Sequence, residues 1–107
     1  MPTPHAPPLT VRRTLAKLGD DIYDARKRRK LSAQVIAERA HTSRNTLKRI
    51  EDGDPAVSMG IYASVLNALG LLEGVADLAD PARDRLGIEL SSPSTNRRAN
   101  KQRKGSR

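Results

Sequence analysis

The chain has 107 residues, a formal net charge of +8 and no cysteine. This length allows one small domain with tails, and the lack of cysteine excludes a disulfide framework and thiolate metal ligands. The N-terminus lacks the apolar run of a signal peptide, and Gly and Pro interrupt the uncharged stretch 55–72, so we predict a cytoplasmic protein without a membrane segment.

The composition changes along the chain. Residues 1–10 are rich in Pro and are predicted to be a disordered leader, and residues 91–107 are predicted to be a disordered basic tail. The tail holds six Lys or Arg and no acid, so the first 90 residues carry 14 basic against 12 acidic residues. Between these ends we predict a helical domain over 11–80 and a short dimerisation or partner segment over 81–90.

Helix 1 is predicted from apolar residues at helical spacing, which are Leu15, Leu18, Ile22 and Ala25. Its start is left open, because Gly19 lies within the pattern and can also mark the beginning of the helix. Three aspartates near the start and the basic run 26–30 near the end complement the helix dipole. We favour this interpretation of the basic run over a nucleic-acid contact.

Two short helices joined by a tight turn are predicted over residues 31–53. Ser32 is the expected cap of helix 2, from about 33 to 40, and Ser43 that of helix 3, from about 44 to 52. The apolar residues of this segment fall on inward faces, and they are Leu31, Ile36, Ala37, Ala40, Leu47 and Ile50.

The outer face of helix 3 is polar and basic. It carries Arg44, Asn45, Lys48 and Arg49. A helix that is held down by two apolar residues and presents guanidinium and amide groups fits the DNA major groove. The segment is therefore predicted to be a helix-turn-helix that reads DNA, and the alternative for each side chain is a solvated helix face.

The remaining elements follow Gly53, which ends helix 3. Helix 4 is predicted from Tyr62, Val65, Leu66 and Leu69, and a short helix 5 from Leu71, Leu72, Val75 and Leu78. Residues 82–86 are predicted to form one further turn, and Ile88 and Leu90 alternate with polar residues as a brief strand does.

This pattern resembles the lambda-repressor-like, or Xre/Cro-type, helix-turn-helix family over roughly residues 15–72. The residues that carry the resemblance are Arg26 in helix 1, Ile36-Ala37 in helix 2, Leu47 in helix 3 and Glu51-x-Gly53. The resemblance implies an all-α, five-helix DNA-binding domain. It also implies a partly buried salt bridge between Arg26 and Glu51 that fixes helix 1 against helix 3.

The resemblance further assigns roles in DNA binding. The base-reading positions are Arg44, Asn45, Lys48 and Arg49, and the phosphate-contacting positions are Ser32, Ser43 and Thr46. Arginine suits the guanine edge and asparagine the adenine edge. Phosphate contacts hold the helix in place without selecting a sequence.

Two positions depart from the family pattern. Ala33 stands where the family often has Gln, with Gln34 one place later, which leaves the contact usual at that position unassigned. His41 occupies the turn position usually held by Gly, and because His tolerates positive φ we expect the turn to form. The other histidine is His5 in the leader, so no metal, cofactor or catalytic role is expected for His41.

Within the family, residues 66–71, residues 78–84 and the basic tail resemble HipB-type antitoxins. Such proteins bind a HipA-type Ser/Thr kinase toxin and repress their shared operon. A disordered basic tail suits folding onto a protein partner, and it equally suits a nonspecific DNA or solubility appendage.

The sequence is compatible with three classes of function to different degrees. The leading one is a nucleoid-associated repressor that binds an inverted-repeat operator as a homodimer and is also an antitoxin. Its dimer contacts are predicted to come from helix 5 and residues 86–90. The alternative within this class is a stand-alone or phage-type regulator. An RNA- or ribosome-associated module is disfavoured by the near-neutral domain and the scarcity of aromatic residues. An enzyme is not expected, since no Cys nucleophile, no histidine cluster and no Gly-rich phosphate loop is present.

Overall fold

The computed structural model describes residues 6–91, so most of the predicted basic tail and the first half of the predicted leader lie outside the described residues. Within the described part the chain is all-helical. Its elements are α1 (Leu9–Arg28), α2 (Ala33–Arg39), α3 (Arg44–Glu51), α4 (Met59–Ala68), α5 (Glu73–Ala76), a 3-10 helix (Pro81–Arg83) and α6 (Arg85–Leu90). Two compact units divide at Val75 and Ala76. None of the helices over residues 6–91 is long and apolar enough to cross a membrane.

Helix α1 begins earlier than the apolar spacing indicates. It starts at Leu9, inside the range assigned to the leader, and runs through Gly19 without a break. The carbonyl of Pro8 accepts the first helical hydrogen bond, from the backbone N–H of Arg12 at 3.1 Å. The apolar residues of this first part, Leu9 and Val11, are about half exposed. They produce no inward pattern, so periodicity alone could not place the start.

Serine side chains cap three of the helices. The hydroxyl oxygens of Ser32, Ser43 and Ser58 accept hydrogen bonds from the backbone N–H groups of Val35, Thr46 and Ile61, at 3.1, 3.0 and 3.2 Å. These bonds satisfy N–H groups that have no partner within their own helix. The predicted caps of helices 2 and 3 are confirmed.

Each of the helices α1 to α4 is followed, two positions after its last residue, by a residue with positive φ. These residues are Lys30, His41, Gly53 and Gly70, with φ of 57°, 58°, 77° and 81°. After α2, the N–H of His41 donates to the carbonyl of Glu38 at 3.1 Å and that of Thr42 to the carbonyl of Ala37 at 2.9 Å, which is a Schellman motif. The expected positive φ of His41 is confirmed.

The core is built mainly from aliphatic residues of α1 to α4 and of the segments that join them. It consists of Ile22, Ala25, Ile36, Ala37, Ala40, Leu47, Ile50, Val57, Tyr62, Val65, Leu66 and Leu69. Leu18, Leu31 and Val75 are partly buried against it. The inward face predicted for helix 4 is confirmed, whereas Leu71 and Leu72, predicted in helix 5, lie before α5 and are 40% exposed.

The prediction of a brief strand at Ile88 and Leu90 is wrong. Both residues lie in α6, a six-residue helix. Asp84 begins this helix, since its Oδ1 accepts a hydrogen bond from the backbone N–H of Gly87 at 3.0 Å. Two alternating apolar residues are too few to separate a strand from a short capped helix.

The contact of α1 with the end of α3 depends on Gly19. A Cβ built at Gly19 would lie 2.6 Å from the backbone oxygens of Ile50 and Glu51. Replacing Gly by Ala in a helix ordinarily stabilises it by about 1 kcal/mol. Because neighbouring backbone must move here, we expect Gly19→Ala to lower the free energy of unfolding by about 2 kcal/mol.

Gly60 in α4 is the matched control, because the nearest atom to a Cβ there is the Ser58 Oγ at 3.8 Å. Gly60→Ala is therefore expected to raise the free energy of unfolding by about 1 kcal/mol. Urea unfolding of both variants measures the two effects. Changes of the same sign would contradict the close approach at Gly19.

Candidate nucleic-acid interface

One face of helix α3 packs against the core, and the opposite face is exposed. Leu47 and Ile50 are fully buried in the core. The Ser43 hydroxyl caps the helix and also donates to the Thr46 Oγ1 at 3.0 Å, so two of the predicted phosphate-contacting residues bind each other. The four predicted base-reading residues, Arg44, Asn45, Lys48 and Arg49, are all exposed. The helix therefore presents one continuous polar face.

Three of these four residues line a groove between α1 and α3. Its exposed walls are Asp20 and Tyr23 from α1 and Arg44, Asn45, Lys48 and Asp52 from α3 and its end. We refer to these six residues as the α1–α3 groove. Asp20, Tyr23 and Asp52 were not predicted as site residues. The spacing of three that connects Asp20, Tyr23 and Arg26 was the available signal, since it places all three on one face of a helix.

The salt bridge implied by the resemblance is present at the base of this groove. Arg26 Nε lies 2.8 Å from Glu51 Oε2, and Arg26 Nη2 lies 3.2 Å from Glu51 Oε1. Both side chains are only 9% exposed. The hydrogen bond to Glu51 raises the pKa of Arg26, and burial opposes this shift. This bidentate contact joins α1 to α3.

Arg26 also connects the groove to the turn before α2. Its Nη1 donates to the Leu31 carbonyl at 3.2 Å, and its guanidinium lies 5.3 Å from the centre of the Tyr23 ring. The ammonium of Lys27 lies 5.6 Å from the same ring centre. Two cations thus lie within cation–π distance of the Tyr23 ring.

The cations of α3 differ in their ion pairs. Lys48 pairs with Asp52 at 3.1 Å and Arg49 with Asp54 at 2.7 Å. Within residues 6–91, Arg44 forms no ion pair. Arg44 can therefore contact an added anion or base without first leaving a carboxylate of the described chain.

The start of α2 contains the position at which this sequence has Ala33 and the family often has Gln. Ala33, in place of Gln, lies at the groove, where its methyl group offers no hydrogen bond. The amide of Gln34 donates to Glu38 Oε2 at 2.7 Å along the same helix. The third predicted phosphate-contacting residue, Ser32, caps this helix. Ala33 therefore cannot make the hydrogen bond that a Gln side chain would make at this position.

The comparison with protein families identifies the domain. A family model described as a helix-turn-helix domain matches residues 17–79, which is more than half of the chain. Comparisons with curated proteins and with solved structures gave no match. The matched range includes the α1–α3 groove, the three serine-capped helices and the Arg26–Glu51 pair. The chain therefore belongs to the helix-turn-helix domain family and is a DNA-binding protein of that kind.

Proposed function

We propose that the protein is a sequence-specific repressor that reads an operator with α3. The observation that carries the proposal is the exposed face of α3, where Arg44 and Asn45 stand beside the α1–α3 groove on a helix fixed by Leu47 and Ile50. Arg and Asn are the side chains that read guanine and adenine through paired hydrogen bonds. Lys48 and Arg49 extend this reading face. This role needs no catalytic chemistry and no cofactor, and a repressor of this kind would act at the nucleoid.

Ser32, Ser43 and Thr46 are proposed to hold phosphates on either side of the base contacts. All three lie at or near the first turn of α2 or α3, where helix N-termini attract anions. Contacts of this kind fix the register of the reading helix on the duplex.

The working form is proposed to be a homodimer. One helix-turn-helix reads too few base pairs to select an operator, and two copies bind half-sites about 34 Å apart or a multiple of that. Helix α6 offers apolar surface for such contacts, since Leu86, Ile88 and Leu90 are 67%, 57% and 71% exposed. Sedimentation of the full chain at micromolar concentration is expected to give a dimer, and Leu86→Glu a monomer. A wild-type monomer would contradict this part of the proposal.

Selection of binding sites from fragmented genomic DNA at near-physiological salt tests the proposed function. We expect an enriched inverted repeat whose half-site spacing matches whole turns of B-DNA. Binding without enrichment, with a steep salt dependence, would instead indicate a nonspecific or RNA-directed role for the basic tail.

We further propose that this repressor is the antitoxin of a HipB-type pair. The proposal is supported by the resemblance of residues 66–71 and 78–84 to such antitoxins, and by a tail of composition suited to folding onto a partner. An enriched repeat upstream of the protein's own gene and of an adjacent HipA-type kinase gene, with co-purification of the two proteins, is the expected result. An operator without such a neighbour would favour the stand-alone regulator.

A further inference from the structure

Asp54, just after α3, is held by hydrogen bonds of both its backbone and its side chain. Its backbone N–H donates to the Arg49 carbonyl at 2.9 Å, and its own carbonyl accepts from the buried Tyr62 hydroxyl at 2.8 Å. Its Oδ1 accepts from the backbone N–H of Ala56 at 2.8 Å, and its Oδ2 accepts from Arg49 Nε at 2.7 Å. The backbone of Asp54 is therefore tied to α3 and α4, and its carboxylate is held by the following turn and by Arg49.

The end of α3 explains why Asp54 meets Arg49. Gly53 is the positive-φ residue of a Schellman motif, which brings the next residue, Asp54, beside Arg49, the third residue from the end of the helix. Those two residues usually make an apolar contact. Here Asp54 and Arg49 replace it with an ion pair in which the side chains are 29% and 50% exposed.

The contact through Nε has a consequence for the guanidinium. Because Nε is bound, the plane of the group is oriented while the Nη donors stay outside this contact. The Lys48–Asp52 pair is different, since both of its side chains are more than half exposed and lie along one helical surface. Arg49 is thus the cation of α3 with a rigidly anchored carboxylate beside it.

We propose that Asp54 is a positioning residue for DNA reading, which orients Arg49 toward a base edge and weakens the attraction of Arg49 to phosphates at other sequences. This inference rests on the proposed function. An oriented arginine loses less side-chain freedom on binding, which favours the selected sequence. A fixed negative charge beside it opposes contacts that are purely electrostatic.

The charge on Asp54 persists under the conditions of DNA binding. The hydrogen bond from Arg49, and next that from the Ala56 N–H, hold the pKa of Asp54 below its ordinary value. Protonation therefore does not release Arg49 near neutral pH.

The test is Asp54→Asn in the full chain. The Asn oxygen can still accept from Ala56, whereas the amide nitrogen cannot accept from Arg49. We expect the Kd for a duplex carrying the selected repeat to rise about fivefold, the ordering cost of one long side chain. The Kd for a scrambled duplex of equal length is expected to fall, because one negative charge is removed. A purely structural role of Asp54 would weaken both.

Asp21→Asn is the matched control, since it removes the same charge from the exposed ion pair between Lys17 and Asp21 on α1. It is expected to leave unchanged the ratio of the Kd for the scrambled duplex to the Kd for the selected duplex. Arg49→Lys, which keeps the charge but removes the Nε contact, is expected to lower the ratio and to make it insensitive to a further Asp54→Asn change. This second variant changes a half-exposed side chain and keeps the turn after α3 intact.

Two outcomes separate failure of the inference from failure of the function. If the wild type discriminates between the duplexes and Asp54→Asn keeps the full ratio, the inference alone is overturned. If the wild type binds both duplexes equally, the proposed function is overturned and the inference with it.

Discussion

Glu51→Ala is expected to lower the free energy of unfolding by about 3 kcal/mol. The substitution leaves the Arg26 guanidinium, in a side chain only 9% exposed, without the carboxylate that takes two of its N–H groups. The hydrogen bond from Arg26 Nη1 to the Leu31 carbonyl, at 3.2 Å, remains, but it replaces neither of the two lost bonds. For a domain of this size the melting temperature should fall by roughly 15 °C.

Two further variants test whether this loss of stability comes from leaving a buried charge without its partner. Asp21→Asn breaks the exposed Lys17 pair and is expected to leave the melting temperature nearly unchanged. The double change Arg26→Met with Glu51→Leu removes both charges and is expected to recover most of the stability, because apolar pairs often replace buried ion pairs without loss. Glu51→Ala melting at the wild-type temperature would show that the pair contributes nothing.

The pH dependence of this pair follows from the direction of the Arg26 shift. The pKa of Arg26 is raised in the folded protein, mainly by the hydrogen bond to Glu51. A raised pKa gives stability that is fully present below the unfolded-state value and is lost as the pH rises through the folded-state value. For an arginine that window lies in strong alkali, so the Arg26 contribution should be constant across neutral pH.

The helix-turn-helix itself could be predicted because several local signals agree within residues 31–53. Helical spacing of apolar residues, a serine before each helix and Gly53 after α3 all indicate the same boundaries, and Ser32 and Ser43 cap the helices there. The first part of α1 and the helical state of α6 gave no comparable signal, because their apolar residues remain largely exposed. Periodicity detects elements that bury a face, and these bury little.

The site was predicted less completely than the fold. The α3 residues follow from the motif, whereas Asp20, Tyr23 and Asp52 enter the groove only through the close crossing of α1 and α3 that Gly19 permits. That crossing is a tertiary property, and the sequence shows the glycine but not its partner. Asp54 differs, because a Schellman motif at Gly53 places its side chain beside Arg49 by local geometry alone.

Arg44→Ala is expected to raise the Kd for the selected duplex about thirtyfold per half-site, which corresponds to about 2 kcal/mol for one paired base contact. Arg44 is exposed and forms no ion pair within the described residues, so its removal should leave the melting temperature unchanged. Parallel titrations of the selected and scrambled duplexes separate base reading from charge. The scrambled duplex should lose only the modest share due to one cation.

Arg12→Ala is the matched control for the Arg44 prediction. It removes an equal charge from an exposed arginine, and its position in α1 is eight residues, or about 12 Å of helix, before Asp20 at the groove. Arg12→Ala should change the Kd for both duplexes by the same small factor. If it matched the effect of Arg44→Ala on the selected duplex, binding would depend on total positive charge, and α3 would not be the element that selects the sequence.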